Sequence, residues 1–113
     1  MIPNGTDAPV ELGNPFHGLF AAVTRQSRAG QPPGGWYSEE KLTREEALKS
    51  YTLWSAHAAF EENIKGSIQA GKLADFVVID RDYMNCGESE IKDIRALQTV
   101  IGGQVVYPVK QVK

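Results

Sequence analysis

Apolar residues recur at helical spacing near the start of the chain. The first such set repeats at positions i, i+3, i+4 and i+7 and comprises Phe16, Leu19, Phe20 and Val23. Asn14 is a favourable N-cap residue, and Pro15 suits the first position of a helix. The pattern therefore predicts a helix over residues 16–26. A loop rich in Gly and Pro follows it over residues 27–38.

A second helical pattern begins at Thr43. Thr43 and Glu46 have the spacing of a capping box, and Glu45 and Glu46 suit the positive end of the helix dipole. The apolar positions that follow trace one helical face and are Ala47, Leu48, Tyr51 and Trp54. We expect residues 55–60 to form a further short helix that ends before Lys65.

The pattern changes to that of β-strands in the last third of the chain. Residues 76–79 are apolar at every position, so both faces of that strand require a covering layer. A second strand is expected over residues 96–101, and a third over residues 105–107. Gly102 and Gly103 separate the two and predict a hairpin turn. Helices followed by strands are typical of an α+β fold.

Composition excludes several classes of protein. The chain has 113 residues and a formal charge of −2, so no strong charge favours binding to nucleic acid or to an anionic membrane. No apolar run approaches the roughly 20 residues of a membrane span. The single cysteine, Cys86, cannot form an internal disulfide, which fits a reducing compartment. We therefore expect a cytoplasmic protein.

Two phrases in the second half of the chain carry a family resemblance. KGSIQAGKLADFVVID occupies residues 65–80, and VIGGQVVY occupies residues 100–107. Together they resemble the C-terminal signature of the amidohydrolase superfamily, the metal-dependent hydrolases built on a TIM barrel with a small appended β-sandwich. Earlier phrases in the same order, such as NGTDAPV, extend the resemblance over nearly the whole chain. The sequence of these segments is most similar to that of the long-chain branch of the family, which includes N-substituted formamide deformylase.

The resemblance implies a division of the chain into two pieces. Residues 1–62 would contain the end of barrel strand 8 with its following loops and helices, and residues 63–113 the C-terminal strands of the composite β-sandwich. A complete barrel needs about 250 residues, so this chain is too short to contain one. We expect the C-terminal part of an enzyme, inactive in isolation. Its uncovered strands would favour self-association.

Asp7 is the candidate catalytic and metal-binding residue. In the family the resemblance implies, the aspartate at this position binds the catalytic metal and accepts a proton from the attacking water. Such chemistry pairs a metal that lowers the pKa of bound water with a nearby carboxylate. Without the resemblance, Asp7 in Gly5-Thr6-Asp7 is an ordinary turn residue.

The remaining candidate residues have weaker indications of a catalytic or metal-binding role. His17 and His57 lie on separate predicted helices, and neither falls where the family places a ligand. Because one carboxylate cannot hold zinc, we expect a divalent metal, zinc by preference, only in the full-length enzyme. Phe16, His17 and Trp36 are candidates for lining a substrate pocket.

Three side chains in the loops have ordinary structural interpretations. The loop aromatics Trp36 and Tyr37 fit either a lid over the substrate or an anchor for their loop. Cys86 has no cationic neighbour in sequence and is expected to have no role.

The function implied by the resemblance is hydrolysis of non-peptide C–N bonds in a small-molecule substrate by a metal-activated water. One alternative is a natural short module that binds or regulates without catalysis. Another is a small stand-alone enzyme that uses Asp7, although the chain offers it no histidine pair and no nucleophile–base arrangement. The substrate cannot be read from these residues.

Overall fold

The computed structural model describes residues 1–108 and contains three α-helices followed by three strands. The helices are α1 (Pro15–Thr24), α2 (Arg44–Tyr51) and α3 (Leu53–Ala58), and the strands are β1 (Phe76–Ile79), β2 (Ala96–Ile101) and β3 (Gln104–Tyr107). Two 3₁₀ helices span Ser38–Glu40 and Glu88–Asp93. The α+β class is thus confirmed. None of the helices within residues 1–108 combines the length and the apolar character that crossing a membrane requires.

Helix α1 begins and ends at residues that the local chemistry selects. The side chain of Asn14 accepts a hydrogen bond from the amide of Phe16 at 3.0 Å, which confirms the predicted cap. The helix stops two residues earlier than predicted, because Arg25 adopts a left-handed conformation with φ 54°. That turn directs the chain into the loop over residues 26–37.

Helix α2 has the predicted capping box but a shorter apolar face. Thr43 and Glu46 bond reciprocally, as their spacing predicts. The helix ends at Tyr51 because Thr52 leaves helical geometry, with φ −126° and ψ −91°. Trp54 therefore belongs to α3, and Leu48 is 40% exposed. The predicted four-residue face is accordingly wrong beyond Tyr51.

Helix α3 lies two residues earlier than the sequence predicts. It starts at Leu53 and ends at Ala58, and Phe60 follows in a left-handed conformation with φ 59°. Phe60 is 91% exposed. Ala56 is the buried apolar residue of α3, and it lies outside the main core cluster.

The core forms between α1, α2 and the second 3₁₀ helix. Its buried residues are Phe16, Leu19, Phe20, Val23, Ala47, Tyr83, Ile91 and Ile94. The four residues that predicted the apolar face of α1 are all in this set, so that prediction is confirmed. Burial of this apolar area is the principal stabilising contribution to the fold.

The three strands form an antiparallel sheet in the order β1-β2-β3. Phe76 pairs with Val100, and Val100 pairs with Val105 across the hairpin. Gly102 and Gly103 make the turn with φ values of 56° and 79°, a conformation that glycine adopts without steric cost. The predicted hairpin and its turn are confirmed.

The sheet stands largely apart from the helices. Within the described chain, the helices pack on one another and on the second 3₁₀ helix, whereas the strands contact each other. Ile79 is the strand residue that packs against the core. The exposed apolar residues of the sheet are Phe76, Val77, Val78, Leu97, Ile101, Val105, Val106 and Tyr107. Val100 in the central strand is buried, but apolar residues are exposed on both faces of the sheet, as expected of strands that lack a complete covering layer.

Residues 1–6 form no strand. Two hydrogen bonds join their main chain to the body: the amide of Asn4 donates to the carbonyl of Ser50 at 2.9 Å, and the carbonyl of Asn4 accepts from the Ser55 hydroxyl at 3.4 Å. A strand needs a hydrogen-bonded neighbour, and no other strand lies beside this segment within residues 1–108. The barrel strand and the division at residue 62 stay predictions. Residues 109–113 of the predicted second piece lie outside the described residues.

Candidate functional site

Asp7 lies at the start of an exposed turn. Its carbonyl accepts a hydrogen bond from the amide of Val10 at 2.9 Å, and the carbonyl of Thr6 accepts one from Glu11 at 3.3 Å. Asp7 has φ 48°, a left-handed conformation that aspartate tolerates better than most residues. The turn thus presents the Asp7 side chain to solvent at the end of the N-terminal segment.

The described residues do not by themselves fit a metal ion. Among residues 1–108, no group of three or more His, Cys, Asp or Glu side chains is close enough to share one. His17 is bonded to Asn14, and His57 Nδ1 lies 3.1 Å from Glu62. A catalytic zinc site needs about three protein ligands, so Asp7 would require partners from outside this part of the chain.

The main cleft lies between the N-terminal segment, α1 and the end of α2. It has a volume of about 520 Å³, and Gly5 and Thr6, the residues directly before Asp7, line it. Of the three pocket candidates, only His17 reaches this cleft. Phe16 is buried in the core, and Trp36 lies on the loop after α1.

His17 and Tyr51 are the most chemically informative residues of the cleft. Asn14 Nδ2 lies 3.3 Å from His17 Nε2, so the cap residue also orients the imidazole. Tyr51 approaches Gly18 so closely that a β-carbon there would lie 1.8 Å from the hydroxyl oxygen. Burial raises the pKa of Tyr51, which keeps its hydroxyl protonated. The apolar spacing predicts Tyr51 on one face of α2. Its proximity to Gly18 depends on how α1 and α2 pack, which the spacing does not record.

The aromatic pair in the loop contacts the end of α1. Trp36 and Tyr37 pack edge to face at 4.5 Å between ring centroids. Arg25 stacks over Trp36 at 5.0 Å, and its Nε donates to the Trp36 carbonyl at 2.6 Å. Trp36 is nevertheless 61% exposed. These contacts support the interpretation of Trp36 as a loop anchor.

Cys86 has a cationic neighbour that the sequence did not reveal. The guanidinium of Arg44 lies 3.7 Å from its sulfur and donates to the Cys86 carbonyl at 2.6 Å. The same group donates to the carbonyl of Tyr83, whose hydroxyl returns a 3.0 Å bond to the Arg44 carbonyl. No cationic residue is a neighbour of Cys86 in sequence, because the contact with Arg44 joins segments 42 positions apart. That Cys86 has no role stays a prediction. Arg44 joins the start of α2 to the loop after β1.

The chain belongs to the Amidohydrolase family, whose sequence model matches residues 2–107. That match covers helices, loops and strands alike, so it does not depend on one motif.

Similar proteins come from bacteria and a plant. N-substituted formamide deformylase of Arthrobacter pascens is 36% identical over 93% of this chain and 18% of its own length. YtcJ of Bacillus subtilis (strain 168), which bears the name of an amidohydrolase, is 36% identical over 95% of this chain and 20% of its own. Protein LONG AFTER FAR-RED 3 of Arabidopsis thaliana is 37% identical, covering 96% of this chain and 18% of its own. No solved structure matches the chain.

The chain spans a fifth or less of the length of these curated relatives. The family is therefore established for the residues that the match covers, 2–107.

Proposed function

We propose that this chain is the C-terminal part of a metal-dependent amidohydrolase that cleaves non-peptide C–N bonds. The observation that carries the proposal is the family match over residues 2–107 at a fifth or less of each relative's length. The name of the Arthrobacter relative suggests N-substituted formamides as a first substrate class to test. On this proposal the complete enzyme works in the cytoplasm.

Asp7 is proposed as this segment's contribution to the catalytic centre. It ends the N-terminal segment at an exposed turn, beside the two residues that line the cleft. In the complete enzyme, other parts of the chain would supply the remaining ligands of a divalent metal. The chain alone would then be inactive, and a calorimetric titration with zinc that showed one tight site per chain would contradict this.

The exposed apolar residues of the sheet support the same proposal. Eight apolar residues are exposed across its two faces, and soluble monomers rarely expose patches of that kind. Strands or helices from the rest of the enzyme would cover them. In the isolated chain, we propose that a second copy covers part of this surface.

The decisive experiment replaces Asp7 by Asn in the complete polypeptide that carries this chain. We expect hydrolysis of an N-substituted formamide to fall by about 10²–10⁴-fold, the range for losing a positioned proton acceptor, with the circular dichroism spectrum unchanged. Asp93→Asn is the matched control, because Asp93 is exposed and its side chain has no hydrogen bond among the described residues. Full activity of Asp7→Asn would refute the proposed role.

A further inference from the structure

The cleft between α1 and α2 contains two side chains whose hydrogen-bonding groups are defined by their neighbours. Asn14 accepts the Phe16 amide through Oδ1, which fixes the orientation of its side-chain amide. Its Nδ2 must then donate to His17 Nε2. In the neutral imidazole, the proton accordingly resides on Nδ1. His17 therefore offers an Nδ1–H donor.

Tyr51 supplies a second donor to the same cleft. Among the hydrogen bonds of residues 1–108, none involves the Tyr51 hydroxyl, although Tyr51 is partly buried and its hydroxyl lies against Gly18. Burial raises its pKa, so the group remains a neutral O–H. A half-buried hydroxyl without a protein partner is available for a ligand acceptor.

The charge of the cleft restricts the class of ligand. Its lining includes one acidic and one basic side chain, Glu11 and Arg28, both exposed. Their charges offset each other, and the other lining residues bring neutral polar or apolar groups. A phosphate or carboxylate would require an excess of positive charge that the cleft lacks.

We infer that this cleft binds the amide group of an uncharged organic compound, with His17 Nδ1–H and the Tyr51 hydroxyl donating to its carbonyl oxygen. The inference rests on the proposed function, because it assigns the bound compound as substrate. His17 and Tyr51 would then be specificity-determining residues. The cleft adjoins Gly5 and Thr6, so a ligand there would lie next to the segment that carries Asp7.

The test uses the isotopically labelled 113-residue chain and N-phenylformamide as the probe. We expect saturable NMR shifts at the side chains of Asn14, His17 and Tyr51. His17→Ala and Tyr51→Phe should each raise the Kd about three- to tenfold, the effect of one lost hydrogen bond. The imidazole nitrogen shifts of His17 should report a proton on Nδ1, and a proton on Nε2 would contradict the assignment.

Matched controls are available in the same chain. His57→Ala and Tyr37→Phe change the same residue types outside the cleft and should leave the Kd unchanged. N-methylaniline, which lacks the carbonyl, should bind more weakly than the formamide. Shifts confined to the exposed sheet, or benzoate binding as tightly as the formamide, would overturn the inference.

The inference and the proposed function fail differently. Asp7 does not line the cleft, so Asp7→Asn should leave binding of N-phenylformamide intact while it abolishes turnover in the complete enzyme. Lost turnover without any binding in the cleft refutes the inference alone. Retained turnover of Asp7→Asn refutes the role proposed for Asp7. Failure of the unmodified complete enzyme to hydrolyse the formamide refutes the proposed function, and with it the assignment of the bound amide as a substrate.

Discussion

At the scale of single residues, Arg44 makes the most extensive link between distant segments. Its guanidinium bonds to the carbonyls of Tyr83 and Cys86, about 40 positions along the chain, at a partly buried site. Hydrogen bonds from a charged donor contribute more than neutral ones, about 1.5–3 kcal/mol each. Removal of the side chain would also leave two carbonyl groups without their partner.

Replacement of Arg44 by Met tests this link. The variant keeps most of the aliphatic stem and loses the donors. We expect the free energy of unfolding to fall by about 3 kcal/mol, the lower limit for two such bonds, because the site is only partly buried. Urea unfolding followed by circular dichroism measures the change. Arg95→Met is the control, because Arg95 is exposed and its described hydrogen bonds come from its main chain. Equal effects of the two substitutions would show that the link contributes nothing specific.

Tyr83 makes the stability of the fold sensitive to alkaline pH. Burial raises the pKa of Tyr83 to about 12, against an ordinary value of 10. The neutral phenol is thus favoured in the folded state, so its contribution is complete below pH 10 and is lost as the pH rises towards 12. We expect the urea midpoint to fall across this window. Tyr83→Phe should reduce that slope, whereas Tyr37→Phe should not.

At the scale of secondary-structure elements, the capping box of α2 is both predictable and measurable. Thr43 Oγ1 donates to Glu46 Oε2 at 2.7 Å and accepts from the Glu46 amide at 3.2 Å. The hydrogen bond from the Thr43 hydroxyl, together with one from the Thr43 main-chain amide, holds the pKa of the Glu46 carboxyl below its usual value. The stabilisation is therefore present above pH 4.5 and is lost as the pH falls through the lowered pKa.

Thr43→Ala should lower the free energy of unfolding by about 1 kcal/mol at pH 7. The difference from the unmodified chain should narrow below pH 4.5, because Glu46 becomes protonated first in the unfolded state and then, at lower pH, in the folded state as well. Thr52→Ala is the control for the pH dependence, since the Thr52 hydroxyl donates to the Leu48 carbonyl at 2.8 Å and this bond involves no carboxylate. Its effect on stability should not change between pH 7 and pH 3. A difference that stays constant from pH 7 to pH 3 would contradict the role of the carboxylate.

The sequence predicts elements well where the signal is local. Asn14, the Thr43–Glu46 pair and the Gly102-Gly103 turn act within a few residues of themselves, and each was located correctly. The break at Thr52 was missed, because the apolar residues on both sides continue the helical pattern across it. Local spacing does not record a change of direction that tertiary packing imposes.

At the scale of the whole molecule, the separation of sheet and helices governs behaviour in solution. Exposed apolar residues lie on both faces of the sheet, and β1 and β3 are open edges. Open edges and apolar faces both favour association between copies. We expect sedimentation velocity to detect dimers or larger species of the 113-residue chain.

Replacement of Val77 and Ile101 by Lys should shift that distribution towards monomer. Both residues are exposed on the sheet, so the change adds charge where copies would meet without disturbing the helical core. Leu12→Lys with Val10→Lys is the matched control, since these apolar residues are exposed away from the sheet. A stable monomer of the unmodified chain would refute the proposed self-association.

The candidate site was predictable only in part. Asp7 could be identified as a candidate because the family resemblance indicates its role. The residues around it indicate only a turn, and Asp7 does lie in a turn. Tyr51 could not be assigned to a cleft, nor Arg44 to Cys86, because each contact joins segments that are remote in sequence. The family resemblance thus indicates the chemical role of a residue, whereas only the tertiary structure shows which residues contact one another.

The close approach of Tyr51 to Gly18 has a consequence for how this segment can vary. A β-carbon at position 18 would displace the tyrosine ring, since it would lie 1.8 Å from the hydroxyl and 2.9 Å from the ring carbon that bears it. Related sequences that carry a residue larger than glycine at position 18 should therefore carry one smaller than tyrosine at position 51. Positions 18 and 51 should therefore covary, and a change at either one would alter the shape of the cleft that both residues line.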